Sequence, residues 1–109
     1  MAQKTILLAC SAGMSTSLLA SKMQDAATAA GKDYKVFATS TSDIDHQLEA
    51  ASPDVLLLGP QVRYMAADVK QKTDAAGIPM MVIDMQDYGM MNGAKVLQSA
   101  EALIASATN

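Results

Sequence analysis

The sequence predicts a single doubly wound α/β domain, with helices on both faces of a four-stranded parallel sheet. Four short apolar segments alternate with amphipathic helical segments along the chain. The connections between them are short, which favours parallel strands joined by right-handed crossovers. The chain has 109 residues, of which 50% are hydrophobic and 17% are charged, and this composition supports one packed core. We therefore expect residues 1–109 to form one domain.

Each predicted strand is a short apolar run bounded by turn-forming or capping residues. The first covers residues 5–10, which read T-I-L-L-A-C, and the second covers residues 34–38. The third and fourth cover residues 55–58 and 80–83. Continuous apolar runs of this length are typical of strands buried on both faces of a parallel sheet.

The first two helices are predicted from apolar spacing and from their end residues. In the first, apolar side chains from Leu18 to Ala30 recur at a period near 3.6, and Gly31 suits its end. The second begins at about Ser42, where Ser42 and Asp45 resemble a capping box.

The last two helices are predicted in the same way. Pro60 is a good first helical residue, and the helix that it begins stops at Gly77, just before Pro79. The last helix begins near Asn92 or Gly93 and continues almost to the end of the chain.

Charge, motifs and cysteine usage exclude several classes of function. Eight basic and eleven acidic residues give a formal net charge of -3, and the basic residues are scattered, which argues against a nucleic-acid partner. No apolar run approaches the roughly 18 to 20 residues of a membrane span, so we expect no direct membrane insertion. One cysteine with one histidine cannot form a structural zinc site, and glycine-rich nucleotide-binding motifs are absent. We expect a cytoplasmic protein without a metal or other cofactor.

The segment with the clearest chemistry is C-S-A-G-M-S-T-S, which joins the first strand to the first helix. Cys10 stands at the carboxyl end of the strand, where doubly wound sheets bind their ligands. Amide groups that converge on a helix N-terminus bind anions, and Gly13 permits the positive φ that such a loop often needs. The predicted phosphate-binding loop comprises Ser11, Ala12, Gly13, Met14, Ser15, Thr16 and Ser17.

The surroundings of this loop also favour an anion. Residues 1–24 contain no acidic side chain that would repel a phosphate, and three hydroxyl residues enter the helix. A thiol beside a helix N-terminus is biased toward the thiolate, which is the nucleophilic form. The pattern therefore predicts that Cys10 is a nucleophile that becomes a phosphocysteine.

Three other interpretations of Cys10 stay open at this point. A free cysteine at a strand end is often an inert buried side chain. Low-molecular-weight tyrosine phosphatases and related arsenate reductases, whose fold the predicted architecture resembles, place an arginine six residues after the cysteine. That position is Thr16 here, and Arg63 is the only arginine, so we expect slow hydrolysis of a phosphocysteine. A non-catalytic anion-binding regulatory module leaves the placement of Cys10 unexplained.

Three segments resemble the enzyme IIB proteins of the lactose/cellobiose/chitobiose phosphotransferase family. Residues 10–23, C-S-A-G-M-S-T-S-L-L-A-S-K-M, resemble the active-site loop and first helix of that family. Residues 55–65 resemble its third strand and the following turn, and residues 83–93, I-D-M-Q-D-Y-G-M-M-N-G, resemble its last loop on the active face. The pattern is nearer to the cellobiose/chitobiose branch than to the lactose branch.

The resemblance implies a role in sugar uptake. Cys10 would accept a phosphoryl group from a phosphohistidine of enzyme IIA and pass it to an oligosaccharide bound by the membrane enzyme IIC. The implied protein is a phosphotransferase component that needs no cofactor. Because a carrier that docks alternately with two partners needs no permanent dimer, we expect a monomer, although the sequence leaves the oligomeric state open. The resemblance leaves the identity of the oligosaccharide open.

Other residues near the predicted active face have weaker signals. Gln61, Tyr64 and Tyr88 are candidate contacts to a partner or to the pocket, and the role of Arg63 stays open. Asp84 and Asp87 are assigned no catalytic role, because an aspartate after a strand is often a helix cap or a turn former. His46 is predicted to be a solvated helix residue. Flexible methionines near these loops could accept two different partners: Met14, Met85, Met90 and Met91.

Overall fold

A computed structural model describes residues 4–11 and 14–107 of the chain. Within these residues, four parallel strands form one sheet in the order β2-β1-β3-β4. The strands are β1 (Lys4–Cys10), β2 (Tyr34–Ser40), β3 (Val55–Leu58) and β4 (Met80–Val82). The predicted strands and the parallel arrangement are confirmed.

The described part of the chain also contains five α-helices. They are α1 (Met14–Ala29), α2 (Ile44–Ala51), α3 (Ala66–Ala76), α4 (Met85–Gly89) and α5 (Gly93–Ala107). Two 3₁₀ helices precede α2 and α3, at Thr41–Asp43 and Pro60–Met65. The short helix α4 was not predicted, because five residues are too few to show a helical period.

The helices cover both faces of the sheet, as the doubly wound prediction requires. Along β1, Ile6 and Leu8 point to one face, while Leu7 and Ala9 point to the other. On the first face they pack against buried side chains of α1 and α5, and on the second against those of α2, α3 and the 3₁₀ helix before α3. The chain thus has two apolar layers that share one sheet.

One side chain of α1 departs from the predicted apolar face. Leu19 and Met23 are fully buried, but Leu18 is 51% exposed. Leu18 lies two residues, and therefore about 200° around the helix, from both Thr16 and Ala20, which are buried, so it projects from the opposite face. The exposed leucine lies near the start of α1, at the carboxyl end of the sheet.

The capping box predicted at Ser42 is wrong. The hydroxyl of Ser40 accepts a hydrogen bond from the Ser42 amide at 3.1 Å, so Ser40 caps the first 3₁₀ helix. Helix α2 begins two residues after Ser42, at Ile44. The carboxylate of Asp45 instead lies 3.0 Å from Lys72 Nζ, in an ion pair with α3.

The ends of α1 and α3 agree with the prediction, but the start of α3 does not. Gly31 and Gly77 both have a positive φ, at 74° and 76°, just after these helices. Pro60 begins a 3₁₀ helix rather than α3 itself, which begins at Ala66. The chain has a kink at Val62, where the φ of -115° is not helical.

Helix α5 begins at Gly93, where it lies directly against the backbone of α1. A Cβ atom at Gly93 would be 2.6 Å from the carbonyl carbon of Lys22 and 2.8 Å from the amide nitrogen of Met23. Side-chain atoms never approach a backbone this closely, so the α1–α5 contact requires glycine at this position.

The middle of α5 is held by polar contacts near the amino-terminal end of β2. Tyr34, the first residue of β2, donates a hydrogen bond from its hydroxyl to Glu101 Oε2 at 2.6 Å. Lys32 Nζ forms an ion pair with the same carboxylate oxygen. Burial raises the pKa of Glu101, but the hydrogen bonds from Lys32 and Tyr34 outweigh it and hold that pKa below its ordinary value.

Candidate functional site

The strand order reverses at β1, which brings the carboxyl ends of β1 and β3 together. The crossover through α1 adds β2 on one side of β1, and the next crossover returns to add β3 on the other side. Cys10 ends β1, and Gly59 directly follows β3. Ligands of doubly wound sheets bind at this switch point. The sequence prediction placed Cys10 at the end of β1, and the structure adds Gly59 beside it.

Gly59 leaves room for the Cys10 side chain. A Cβ atom at Gly59 would lie 3.3 Å from both Cβ and Sγ of Cys10, which is a crowded distance. The Gly59 amide donates to the Ala9 carbonyl at 2.8 Å, so the backbone that sets this distance is fixed to β1. Cys10 is 3% exposed. Sequence reasoning missed this role, although a glycine at a strand end is a signal for close approach.

Gln61, two residues after Gly59, also contacts the sulfur of Cys10. The Cys10 thiol donates a long hydrogen bond to Gln61 Oε1, with 3.9 Å between the two atoms. The side chain of Gln61 is otherwise exposed, in the 3₁₀ helix that Pro60 begins. The structure therefore brings one of the candidate pocket contacts to the predicted nucleophile.

The first turn of α1 begins four residues after Cys10. The first four N–H groups of a helix have no carbonyl partner within it, and the dipole makes this end attractive to anions. No acidic side chain lies in the first turn. Of the predicted loop, Ser11, Ser15 and Ser17 are exposed, whereas Ala12, Gly13 and the side chain of Met14 lie outside the described residues.

Thr16 differs from the neighbouring serines, because its side chain faces inward. It has no exposed surface, and its Oγ1 lies 3.1 Å from the hydroxyl oxygen of Tyr88 in α4. Tyr88 is itself only 6% exposed. The predicted loop residue and the predicted pocket residue thus contact each other within the protein.

A groove of about 380 Å³ lies beside this hydroxyl pair. It is lined by Pro60, Gln61, Arg63, Met85, Tyr88 and Gly89. The same segments expose large side chains, with Tyr64 78%, Met85 60% and Met90 68% exposed. Of the three candidate contacts, Gln61 and Tyr88 line the groove, whereas Tyr64 is exposed in the same 3₁₀ helix as Gln61.

The two aspartates near this face have structural roles. The carboxylate of Asp84 accepts hydrogen bonds from the amides of Gln86 and Asp87, both at 3.1 Å, and so caps α4. Asp87 is 7% exposed, and its carboxylate lies 3.6 Å from Lys95 Nζ. The predicted capping role is confirmed for Asp84. His46 is exposed on α2, as predicted.

The family model for "PTS system, Lactose/Cellobiose specific IIB subunit" matches residues 5–99 of this chain. The chain belongs to this family. The resemblance predicted from the active-site loop is therefore confirmed, and the chain is a sugar-specific IIB component of a phosphotransferase system.

Curated relatives agree over nearly the full length. The PTS system galactose-specific EIIB component of Lactococcus lactis subsp. cremoris (strain MG1363) is 62% identical over 107 residues, covering 95% of this chain and 99% of the relative. The cellobiose-specific EIIB component of Lactococcus lactis subsp. lactis (strain IL1403) has the same identity and coverage. The oligo-beta-mannoside-specific EIIB component of Bacillus subtilis (strain 168) is 38% identical, covering 93% of this chain and 96% of the relative.

Solved structures show the same fold. The solution structure of a cellobiose-specific phosphotransferase IIB component from Borrelia burgdorferi has a TM-score of 0.77 at 35% identity, covering 94% of this chain and 93% of that one. A lactose-specific IIB component domain from Streptococcus pneumoniae has a TM-score of 0.78 at 17% identity, covering 92% and 96%, which shows the fold alone. None of the described helices is both long and apolar enough to span a membrane.

Proposed function

We propose that this IIB component is a phosphocysteine carrier. Cys10 accepts a phosphoryl group from a phosphohistidine of enzyme IIA and passes it to an oligosaccharide bound by the membrane enzyme IIC. The observation that supports this most directly is the position of Cys10, at the strand-order switch and beside the acid-free first turn of α1. The nucleophile and the N–H groups that favour an anion therefore belong to neighbouring elements.

The chemistry requires two in-line transfers. In the first, an electron pair on the Cys10 sulfur forms the S–P bond while the N–P bond of the donor histidine breaks, and the thiol proton passes to the departing histidine nitrogen. In the second, a sugar hydroxyl oxygen forms the new O–P bond while the S–P bond breaks. The sulfur leaves with the electron pair of that bond and regains the proton that the hydroxyl loses, which restores the thiol. We assign the phosphoryl oxygens to the backbone amides of residues 11–17, which would stabilise their charge without a metal or nucleotide.

The groove is a candidate surface for the two partners. Gln61 and Tyr88 line it, while the exposed side chains of Tyr64, Met85 and Met90 offer adaptable apolar contacts. A carrier that must leave one partner before it meets the next works as a monomer. Its reactive thiol must also stay reduced, as it does in the cytoplasm.

We place sugar selection in the membrane partner rather than in this chain. Two relatives at the same 62% identity are named for different sugars, galactose and cellobiose. Their shared similarity to this chain gives no reason to prefer one sugar. The proposed acceptor is therefore an oligosaccharide whose identity is set by enzyme IIC.

The test is phosphorylation of the purified chain by phosphoenolpyruvate and the general phosphotransferase proteins, with and without the cognate enzyme IIA. Intact mass measurement should show the gain of one phosphoryl group only when enzyme IIA is present. Cys10→Ser should remain folded, as judged by circular dichroism, and gain none, because a serine hydroxyl has no accessible anion near neutral pH. Phosphorylation of the serine variant at the wild-type rate would refute Cys10 as the carrier.

A further inference from the structure

Thr16 and Tyr88 form a buried hydroxyl pair between α1 and α4. The two oxygens are 3.1 Å apart, although the residues are 72 positions apart in the chain. Thr16 is the third residue of α1 and Tyr88 is the fourth of α4. A buried hydroxyl that loses its hydrogen-bond partner costs free energy, because no water replaces the partner. The bond therefore fixes the first turn of α1 relative to α4.

The hydroxyl of Tyr88 has a different role from its ring. Tyr88 lines the groove together with Pro60, Gln61 and Met85, while its hydroxyl is buried against Thr16, so the groove needs only the aromatic ring. The hydroxyl instead contacts the turn that begins four residues after Cys10. Phenylalanine would supply the same wall but would leave Thr16 without this bond.

We propose that Thr16 and Tyr88 are positioning residues for phosphoryl transfer: their hydrogen bond holds the first turn of α1 so that its N–H groups face the group on Cys10. This inference rests on the proposed carrier function. The Thr16 hydroxyl bonds to Tyr88 inside the protein, and the backbone amide of Thr16 is the group that faces the anion. Both residues act through the turn, and neither side chain touches the phosphoryl group.

Alkylation of the single cysteine tests the inference without any other protein. The rate constants for iodoacetate, an anion, and iodoacetamide, which is neutral, are measured on the same folded chain. Their ratio reports how well the surroundings of the sulfur attract an anion, because thiolate fraction and steric access affect both reagents.

We expect Thr16→Val and Tyr88→Phe each to lower this ratio by about fivefold, the effect of one net hydrogen bond. The double variant should be no lower than either single variant, because all three lack the same bond. Thr16→Ser should restore most of the ratio. Tyr34→Phe is the matched control: it removes a tyrosine hydroxyl that is bonded to Glu101, and it should leave the ratio unchanged.

Two results would overturn the proposal. Unchanged ratios in Thr16→Val and Tyr88→Phe, with a lower free energy of unfolding, would make the bond merely structural. In phosphorylation by enzyme IIA, the proposal predicts a lower maximal rate with a half-saturating donor concentration within about twofold of wild type. A raised half-saturating concentration with an unchanged maximal rate would make Tyr88 a docking contact instead. Failure of the wild-type chain to accept phosphate would refute the carrier function, whereas the alkylation ratios would still decide the positioning claim.

Discussion

Helix α5 is held at its start and at its middle by different kinds of contact. At its start, Gly93 lies against backbone atoms of Lys22 and Met23 in α1. Eight residues later, Glu101 is held by an ion pair with Lys32 and a hydrogen bond from Tyr34. The first contact depends on the absence of a side chain and the second on charge, so they should respond differently to substitution and to pH.

The largest effect is expected at the start of α5. In Gly93→Ala, a Cβ atom would meet backbone atoms of Lys22 and Met23 at 2.6 to 2.8 Å, and a backbone cannot move aside as a flexible side chain does. We expect the free energy of unfolding to fall by about 3 kcal/mol. Urea unfolding followed by circular dichroism measures the change.

Gly89→Ala is the matched control for that substitution. It adds the same methyl group at the end of α4, where no atom beyond the adjoining residues and the backbone of that helix lies within 4 Å of the new Cβ. The free energy of unfolding should change by less than about 1 kcal/mol. Equal losses in the two variants would show that steric contact does not distinguish position 93.

At the carboxyl edge of the sheet, a second glycine should affect transfer more than stability. In Gly59→Ala, the new methyl group would crowd side-chain atoms of Cys10 and Gln61 at 3.3 Å, and these can shift by a few tenths of an ångström. Because the shift displaces the nucleophile, we expect phosphoryl transfer to fall about tenfold.

The measurement is the initial rate of phosphorylation by enzyme IIA, followed by mass, beside a urea unfolding curve. The free energy of unfolding should change by less than about 1 kcal/mol. Tyr34→Phe, at the opposite edge of the sheet, should keep the wild-type rate. An unchanged phosphorylation rate in Gly59→Ala would mean that phosphoryl transfer to Cys10 does not require the space left by glycine at position 59.

At the middle of α5, Tyr34→Phe should lower the free energy of unfolding by about 1 kcal/mol. It removes the hydroxyl that donates to Glu101 at 2.6 Å and keeps the aromatic ring. Tyr64→Phe is the control, since that tyrosine is 78% exposed, and it should leave stability unchanged. If Tyr64→Phe lowered the free energy of unfolding as much as Tyr34→Phe, the loss in Tyr34→Phe could not be attributed to the hydrogen bond with Glu101.

The smallest effect is a pH dependence of stability that only the polar contact at Glu101 should show. The folded-state pKa of Glu101 is below its ordinary value of 4.5, so its contribution to stability is complete above that value and is lost as pH falls through the folded pKa. The difference in unfolding free energy between wild type and Glu101→Gln should therefore narrow on acidification from neutral pH. A difference that widened toward acid would contradict the assigned direction, whereas the loss in Gly93→Ala should stay constant.

The central strands β1 and β3 were predictable because burial on both faces leaves a continuous apolar run, whereas the edge strands β2 and β4 are less buried. The prediction of β2 stopped at residue 38, where its apolar run ends. The strand in fact continues through Thr39 and Ser40, which pair with Ala9 and Cys10. Backbone pairing does not require apolar side chains, so polar residues at the end of the sheet escaped detection.

The residues of the candidate site were predictable from the sequence, but the orientation of their side chains and the distances between them were not. Cys10 and the turn after it were evident from the order of strand, loop and helix. The inward orientation of Thr16 depends on where α1 begins and on a tyrosine 72 residues away, and neither is encoded locally. The space at Gly59 depends likewise on the distance between two strands that are not consecutive in the chain.

Helix α4 has only five residues, yet its two sides face different surroundings. Tyr88 and Asp87 are buried, whereas Met85 is 60% exposed, as is Met90 just after the helix at 68%. The outer positions can vary in size and shape without disturbing the bond to Thr16 or the packing beneath it. In evolutionary terms, substitutions on the outer side of such a helix would alter the proposed partner surface and leave the buried contact with α1 in place.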